Sequence, residues 1–394
     1  MMGEVITAVG IDVSKGKSVV AARRPGGEVI LPPTQVNHTA EELAHLVDRL
    51  RKIGGDIRIV MEHTGMYWRP IAHALKEAGF FVSVVNAILI HNFSNNSLRK
   101  VKTDKADALK IANYCLAFWT ELRNFSDEDE TRQMLKMQCR LYERTQKTSV
   151  ELRNGLISLL DQTFPGINKV LPSPYCSKRG HYKWVDFVKT FWHKDCVKKH
   201  SLNAFSNSYQ RWCKKEGYRF REAEAEKIYN AAQNAVATFP ANESTELLIV
   251  QAVDCLNAVY ESKAVLRAEM RRLASLLPEY EVVMTMQGAG DITGPKLMAE
   301  IGDVRRFTSK RALVAFAGVD APPFQLRRTL FQIMSVILQH SSLDNAVYLF
   351  MDKKRAEGKH FYVYMVAGAA KFLRIYYARV KEYLAALEVG KSAA

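Results

Sequence analysis

The first 125 residues alternate between short apolar runs and amphipathic stretches. Runs rich in β-branched residues predict strands where turn residues such as Gly16 bound them, and apolar residues spaced by three and four predict helices. In chain order, the pattern predicts strands at 5–13, 18–23 and 29–31, a helix between Thr39 and Gly54, a strand at 57–62, a helix at 67–78, a strand at 80–86 and a helix at 104–120.

This order of elements predicts an α/β domain over residues 1–125. Three strands followed by helix, strand, helix, strand and helix are typical of a ribonuclease-H-like domain. In that fold an antiparallel meander is extended by parallel strands.

Residues 126–277 are predicted to form mainly two long helices. The segments 127–164 and 221–277 carry apolar residues at helical spacing and could pair as an antiparallel coiled coil. Between them, an insert at 166–220 has 12 Lys or Arg against 3 Asp or Glu, together with 11 aromatic residues.

Residues 278–394 are predicted to form a mostly helical C-terminal domain. Gly288, Gly290 and Gly294 resemble a helix-hairpin-helix turn, in which backbone N–H groups meet a phosphate, although a simple turn between packed helices has the same pattern. The apolar stretch 361–387 is interrupted by Lys371 and Arg374, which favours an amphipathic helix over a membrane span.

The net charge narrows the class of partner. Lys and Arg total 56 against 41 Asp and Glu, a formal +15, which excludes an acidic protein and favours nucleic acid over a membrane surface as partner. The six cysteines are scattered without a CxxC pair, and no signal peptide is visible. We therefore expect reduced thiols and a cytoplasmic location, with no membrane partner.

Four acidic residues fall at the ends of predicted elements. Asp12 and Glu62 end strands, and Asp104 and Asp107 begin a helix, where their spacing of three places them on one face. Strand ends converge on one edge of an α/β sheet, and carboxylates gathered there would hold hard divalent cations suited to phosphodiester chemistry. Separate roles as turn, surface and helix-cap residues are the alternative.

Basic and aromatic residues provide candidate nucleic-acid contacts. Four cations lie beside the acidic residues, and three tryptophans of the insert could stack on bases or could instead form a small core. A zinc site from Cys176, His181, His193, Cys196, His200 and Cys213 is a further alternative, although their spacing matches no known zinc knuckle. The predicted nucleic-acid contacts are Arg99, Lys100, Lys102, Lys105, Trp184, Trp192 and Trp212.

Five stretches, taken in order, resemble bacterial insertion-sequence transposases of the one-ten group, which are DEDD recombinases related to the Piv DNA invertases. They are VGIDVSK at 9–15, MEHTGMY at 61–67, KTDKADA at 102–108, AEIGDVRRF at 299–307 and AFAGVD at 315–320. The resemblance spans roughly residues 5–125 and 280–385.

The resemblance implies a site and a set of partners. Asp12, Glu62, Asp104 and Asp107 would form a RuvC-like Mg²⁺ site of two ions, with a serine nucleophile supplied by the C-terminal domain. Dimers would pair into a tetramer around a bridge RNA and donor and target DNA. Arg327 and Arg328, at the start of a C-terminal helix, are expected to bind nucleic acid.

The sequence departs from the family where the serine is expected. Gln325 joins Leu326 directly, so the serine-bearing segment is absent, through a deletion or because a loop is missing from the sequence as numbered. Three functions remain open: an RNA-guided DNA transposase, a structure-specific nuclease that hydrolyses DNA with an activated water, and an inert RNA- or DNA-binding protein.

Overall fold

The computed structural model describes residues 5–62, 67–94, 104–125, 127–171, 180–318, 324–340 and 344–392. The chain divides into two compact units, Met1–Asp129 and Glu130–Ala394.

The first unit is built on a five-stranded sheet in the order β3-β2-β1-β4-β5. Neighbours β1–β2 and β2–β3 are antiparallel, whereas β1–β4 and β4–β5 are parallel, so the predicted meander extended by parallel strands is confirmed. Its elements are β1 (Ile6–Ser14), β2 (Lys17–Arg23), β3 (Val29–Asn37), α1 (Ala40–Ile53), β4 (Asp56–Glu62), α2 (Arg69–Glu77), β5 (Phe81–Val85), α3 (Ala87–Ser94) and α4 (Asp104–Ala117).

Each face of this sheet is covered by helices. Because side chains alternate along a strand, Val9 and Ile11 of β1 face one layer, where they pack with Leu46 of α1 and Ile71 of α2. The other face is covered by α3 and α4, and its buried residues are Ala8, Val60, Ile90, Ile111, Tyr114 and Cys115.

The second unit is almost entirely helical. Its elements are α5 (Asp127–Thr163), α6 (Ile167–Val170), α7 (Lys183–Thr190), α8 (Asp195–Lys198), α9 (Leu202–Glu216), α10 (Glu222–Asn234), α11 (Glu243–Ser275), α12 (Tyr280–Met284), α13 (Thr293–Ile301), a 3₁₀ turn (Val304–Arg306), α14 (Lys310–Phe316), α15 (Phe324–His340), α16 (Ala346–Ala356) and α17 (Phe361–Ser392). None of the helices in the described ranges is both long enough and apolar enough to cross a bilayer.

The predicted long helical stretch over 221–277 is divided into two helices, α10 and α11. The chain leaves the helical conformation after α10 and re-enters it at α11. Pro240 lies in the break, where it cannot donate a backbone hydrogen bond. The N–H groups of Thr238 and Phe239 instead donate to the carbonyl oxygen of Gln162, which ties the break to α5.

Helices α5 and α11 run in opposite directions through two hydrophobic cores. At one end of the pair, Leu156 of α5 shares a core with Val253 of α11. At the other end, Leu135 of α5 shares a different core with Met270 of α11. Between the two cores, the Lys263 ammonium donates to the Ser149 hydroxyl at 3.3 Å. A regular coiled coil along this pair remains a prediction.

Candidate active site

Asp12 and Glu62 lie where the pairing of two neighbouring parallel strands ends: Glu62 is the last residue of β4, whereas β1 continues for two residues past Asp12 to Ser14. The last pair in the β1–β4 register is Ile11 with Met61, and the next residues along the two strands are Asp12 and Glu62. Alternation places Asp12 on the same face of β1 as Ala8, and Glu62 on the same face of β4 as Val60. Both carboxylates therefore lie on the face of the sheet that α4 covers, and both are partly exposed.

A glycine lets α4 lie directly on β1. A Cβ at Gly10 would be 2.2 Å from the carbonyl oxygen of Ala108 and 2.3 Å from the amide nitrogen of Ala112, so no larger residue fits without a shift. Gly10 precedes Asp12 by two residues and shares its face. The close approach of strand and helix thus places α4 beside the part of β1 that carries Asp12.

The direction of α4 brings its first turn to that same edge. At the far end of the helix, the Cys115 thiol donates to the carbonyl oxygen of Arg58, near the start of β4. The N-terminal turn consequently points towards the ends of β1 and β4. Asp107 lies in this turn and pairs with Lys110 at 2.7 Å. Asp104 is the first residue of α4, and its side chain lies outside the described residues.

The chemistry of these carboxylates fits a hard divalent cation, because carboxylate oxygens are its preferred ligands. Among the side chains that the structure describes, no group of three or more His, Cys, Asp or Glu is gathered closely enough to hold a metal ion. Carboxylates at one edge repel one another unless a cation neutralises them. Asp12 and Glu62 therefore fit a divalent cation in two ways: they lie at the same edge and on the same face of the sheet, and their carboxylate oxygens are suitable ligands.

The predicted basic contacts are only partly described. Arg99, Lys100 and Lys102, and the side chain of Lys105, lie outside the described residues. In the second unit, Arg327 is exposed, with its guanidinium 5.6 Å from the centre of the Phe331 ring. Arg328 is paired with Glu143 at 2.9 Å, so its charge is largely directed into the protein.

The three tryptophans of the insert pack in a core, which corrects their predicted role in base stacking. Trp184, Trp192 and Trp212 are 7%, 9% and 6% exposed, respectively. The Trp212 ring meets the Phe187 ring edge-on, with centroids 5.6 Å apart. A buried indole cannot stack on a base, so the alternative of a small aromatic core describes these residues.

The candidate zinc ligands do not converge. Both nitrogens of the His181 ring are occupied by carboxylates, Asp186 at 3.1 Å and Glu261 at 3.0 Å. His193 contacts the Phe239 carbonyl oxygen at 3.2 Å, and Cys213 is buried. Cys196 is half-buried and His200 is exposed, whereas Cys176 lies outside the described residues.

The glycine turn before α13 is closed by the hydroxyl group of Thr293, the first residue of that helix. Gly288 has a φ of +85°, which favours glycine. The Thr293 hydroxyl accepts from the Gly290 N–H at 2.9 Å and donates to the Gly288 carbonyl at 2.6 Å. The Gly290 N–H that could meet a phosphate is therefore already bonded within the turn.

The junction at which the serine is expected lies inside a helix. Gln325 and Leu326 are consecutive residues of α15, and the Thr329 hydroxyl donates to the Gln325 carbonyl at 3.1 Å. Leu326 is fully buried. The helix α15 is continuous through Gln325 and Leu326, so no loop at this junction stands in for the expected serine-bearing segment.

A charged cleft beside this junction was missed in the sequence. Glu143 of α5 pairs with Lys296 of α13 and with Arg328 of α15. Glu300 is 3.3 Å from the Lys136 ammonium. The cleft is lined by Cys139, Arg140, Glu143, Lys296, Glu300, Gln325 and Thr329. Lys296 and Glu143 are far apart in the chain, so no local motif could have indicated their contact.

Two family models match the chain. One, described as a transposase and named for the DEDD transposases of IS110, matches residues 9–165. The other, described as the transposase IS116/IS110/IS902 family, matches residues 280–326. The first match includes all four acidic residues, and the second reaches the junction at Gln325.

Relatives of the chain include mobile-element and DNA-inverting proteins. A 43.6 kDa protein of insertion element IS110 from Streptomyces coelicolor is 20% identical over 369 residues, covering 89% of this chain and 88% of the relative. The pilin gene-inverting protein of Moraxella lacunata is 36% identical over 58 residues, 15% of this chain and 18% of the relative.

Solved structures similar to the chain include the RuvC protein of Thermus thermophilus. It has a TM-score of 0.23 and 13% identity and covers 30% of this chain and 99% of RuvC. The same protein in complex with a Holliday junction has a TM-score of 0.22 and 14% identity, with the same coverage.

These matches define a DNA transposase or recombinase, an enzyme that binds DNA. The chain belongs to the IS110 family of transposases, the one-ten group whose motifs it carries. Divalent-metal use is general among DEDD enzymes of this kind.

Proposed function

We propose that the chain cleaves and exchanges DNA strands with a Mg²⁺ site formed by Asp12, Glu62, Asp104 and Asp107. The observation that carries this proposal is the position of α4. Gly10 allows the helix to lie on β1, and its first turn reaches the edge that carries Asp12 and Glu62. Asp12 and Glu62 lie on the sheet face that α4 covers, and Asp107 lies in the first turn of that helix, which supports the proposal.

Two Mg²⁺ ions bound there would supply charge stabilisation for the attacking and leaving oxygens of a phosphodiester. The part of the protein is to present carboxylate oxygens from two rigid strands and a helix, which limits their movement during the reaction. Lys110 pairs with Asp107, and a bound Mg²⁺ ion would have to replace this contact or share the carboxylate with it.

The finer steps rest on the family resemblance. A serine of the C-terminal domain would become joined to the cut DNA and would retain the energy of the phosphodiester for religation. A bridge RNA would guide the choice of DNA, and two dimers would form the working tetramer. The Moraxella relatives, whose name describes gene inversion, support strand exchange over simple hydrolysis.

Carboxylate variants test the metal site. Asp12→Asn and Asp107→Asn should abolish strand exchange with Mg²⁺ while DNA binding without metal stays at the wild-type level. Asp48→Asn, an exposed position on α1, is the matched control and should be fully active. Wild-type exchange by Asp12→Asn would refute the proposed site.

A second candidate is a metal-dependent nuclease that uses the same carboxylates and an activated water. The direct joining of Gln325 to Leu326 within α15 favours it, because the expected serine is absent from this sequence. Denaturing electrophoresis of a reaction with labelled DNA distinguishes the transposase mechanism from the nuclease mechanism. A protein–DNA adduct that survives denaturation supports transposition, whereas free cut ends without adduct support hydrolysis.

A further inference from the structure

The helix α9 presents two unlike faces. Its inward face carries Phe205, Tyr209, Trp212 and Cys213, all buried in the aromatic core. Its outward face, at positions opposite these on the helix, is exposed and is formed by Asn203, Asn207, Gln210, Arg211 and Lys214. Every side chain of this outward face is an amide or a cation.

The charge of the outward face is not balanced locally. Within the described chain, neither Arg211 nor Lys214 forms an ion pair with a carboxylate, and the outward face itself contains none. By contrast, Lys189 of the same insert is paired with Asp254, and Lys183 with Glu224. Unlike Lys183 and Lys189, the two cations of the outward face have no carboxylate partner within the described chain, so this face suits a polyanion.

The residue types favour duplex DNA as that polyanion. Arg pairs in bidentate fashion with guanine and Asn or Gln with adenine at the major-groove edge, and an α-helix fits this groove. The outward face presents no aromatic ring for stacking on unpaired bases. The enzyme acts on DNA, so a duplex is available to it.

Further cations lie just beyond both ends of α9. Lys198 and Lys199 precede it, and Arg219 and Arg221 follow it, and all four are exposed. A helix of 15 residues is about 22 Å long, which exceeds the width of the major groove, about 12 Å. Cations beyond the ends of such a helix are suited to the phosphates at the groove edges.

We propose that the outward face of α9 binds in the major groove of duplex DNA and reads base pairs through Asn207, Gln210 and Arg211. This activity lies beyond the carboxylate site and needs no metal. It also relocates the nucleic-acid role of the insert from its buried tryptophans to the polar side of the same helix.

The test is selection from a pool of short duplexes with a randomised centre, using the full chain in EDTA. The wild type should enrich a defined sequence. The double variant Asn207→Ala/Arg211→Ala should lower the affinity ratio between that duplex and a shuffled duplex by about tenfold or more. Arg144→Ala/Asn154→Ala, the same residue types exposed on α5, should retain the wild-type ratio.

A second measurement covers the phosphate contacts. Lys214→Gln should weaken binding of the selected and shuffled duplexes equally. It should also lower the slope of log affinity against log salt concentration by the amount expected for about one phosphate contact. The proposal is overturned if the wild type enriches no sequence, or if the double variant keeps the wild-type ratio. It is also overturned if the double variant loses affinity for an RNA hairpin but not for the duplex. The selection is carried out in EDTA, where the carboxylate site holds no metal, so a failure here is distinguishable from a failure of that site.

Discussion

Gly10 of β1 and Ala108 of α4 touch backbone to backbone, and this contact sets the distance between the sheet and the helix that carries Asp107. A methyl group at Gly10 would come within 2.2 Å of the Ala108 carbonyl oxygen. The strand cannot yield easily, because β1 is hydrogen-bonded to β2 on one side and to β4 on the other.

We therefore expect Gly10→Ala to displace α4. Overpacking of this kind costs about 1–3 kcal/mol in the free energy of unfolding. Strand exchange should fall much more than stability, because Asp107 moves with the helix. Gly155→Ala is the matched control, since a Cβ there meets nothing within 4 Å and the helix interior favours alanine. Urea denaturation and an exchange assay measure the two effects, and a fully active Gly10→Ala would contradict the expectation.

Arg132 and Glu279 form a buried, bidentate ion pair, with the second hydrogen bond at 2.8 Å. Arg132→Met should lower the free energy of unfolding by about 3–5 kcal/mol, because it leaves a buried carboxylate without a partner. The double variant Arg132→Met/Glu279→Leu should recover most of that loss. Denaturant titration of the two variants checks this, and equal stability of the two would argue against the pair as described.

Trp212→Ala should lower the free energy of unfolding and leave DNA binding unchanged. Removing a large buried aromatic side chain costs about 3–5 kcal/mol. At a temperature where the variant is folded, its affinity for duplex DNA should stay close to wild type, as measured by fluorescence anisotropy. A specific loss of affinity without loss of stability would restore the base-stacking hypothesis for this residue.

The cysteines should differ sharply in reactivity. Burial raises the pKa of the Cys115 thiol to about 12 and that of the Cys139 thiol to about 12, whereas Cys255 is exposed. Only the thiolate is nucleophilic, so iodoacetamide should modify Cys255 in the native protein and spare the other two. Peptide mass spectrometry reads out each site, and rapid native modification of Cys115 would count against its burial.

The same pKa shifts have a stability consequence. The unfolded chain loses these two thiol protons near pH 9, and the folded protein keeps them until about pH 12. Their contribution to the free energy of unfolding should therefore be complete below pH 9 and decline as the pH rises towards 12. Denaturation of Cys115→Ala across that range should show a smaller decline than the wild type.

The sheet could be predicted because its strands are short, β-branched and bounded by turn residues, and chain order then restricts the topology. Glu62 could be placed because it ends a strand, and Asp12 because it lies near the end of one, two residues before Ser14. The position of α4 was not predicted, although a glycine within a strand such as Gly10 is itself a signal of close backbone approach.

The aromatic insert shows where composition alone misleads. Phe205, Tyr209 and Trp212 recur at spacings of four and three, which places them on one side of a helix. That periodicity distinguishes the buried aromatic rings from the polar outward face of the helix. A count of cations and aromatic residues cannot make this distinction, because it ignores their positions on the helix. The contact of Lys296 with Glu143 could not be predicted, because it depends on how α5 and α13 pack.

The helix α5 joins two cores that share no residue, and its middle lies between them. There the hydroxyls of Thr145 and Thr148 donate to the carbonyl oxygens of Leu141 and Arg144, and Gly155 adds no side chain. We therefore expect each core to unfold locally without the other, as a separate cooperative unit along α5. Amide hydrogens near the two ends of α5 should exchange slowly and at independent rates, while those between Thr145 and Gly155 should exchange faster.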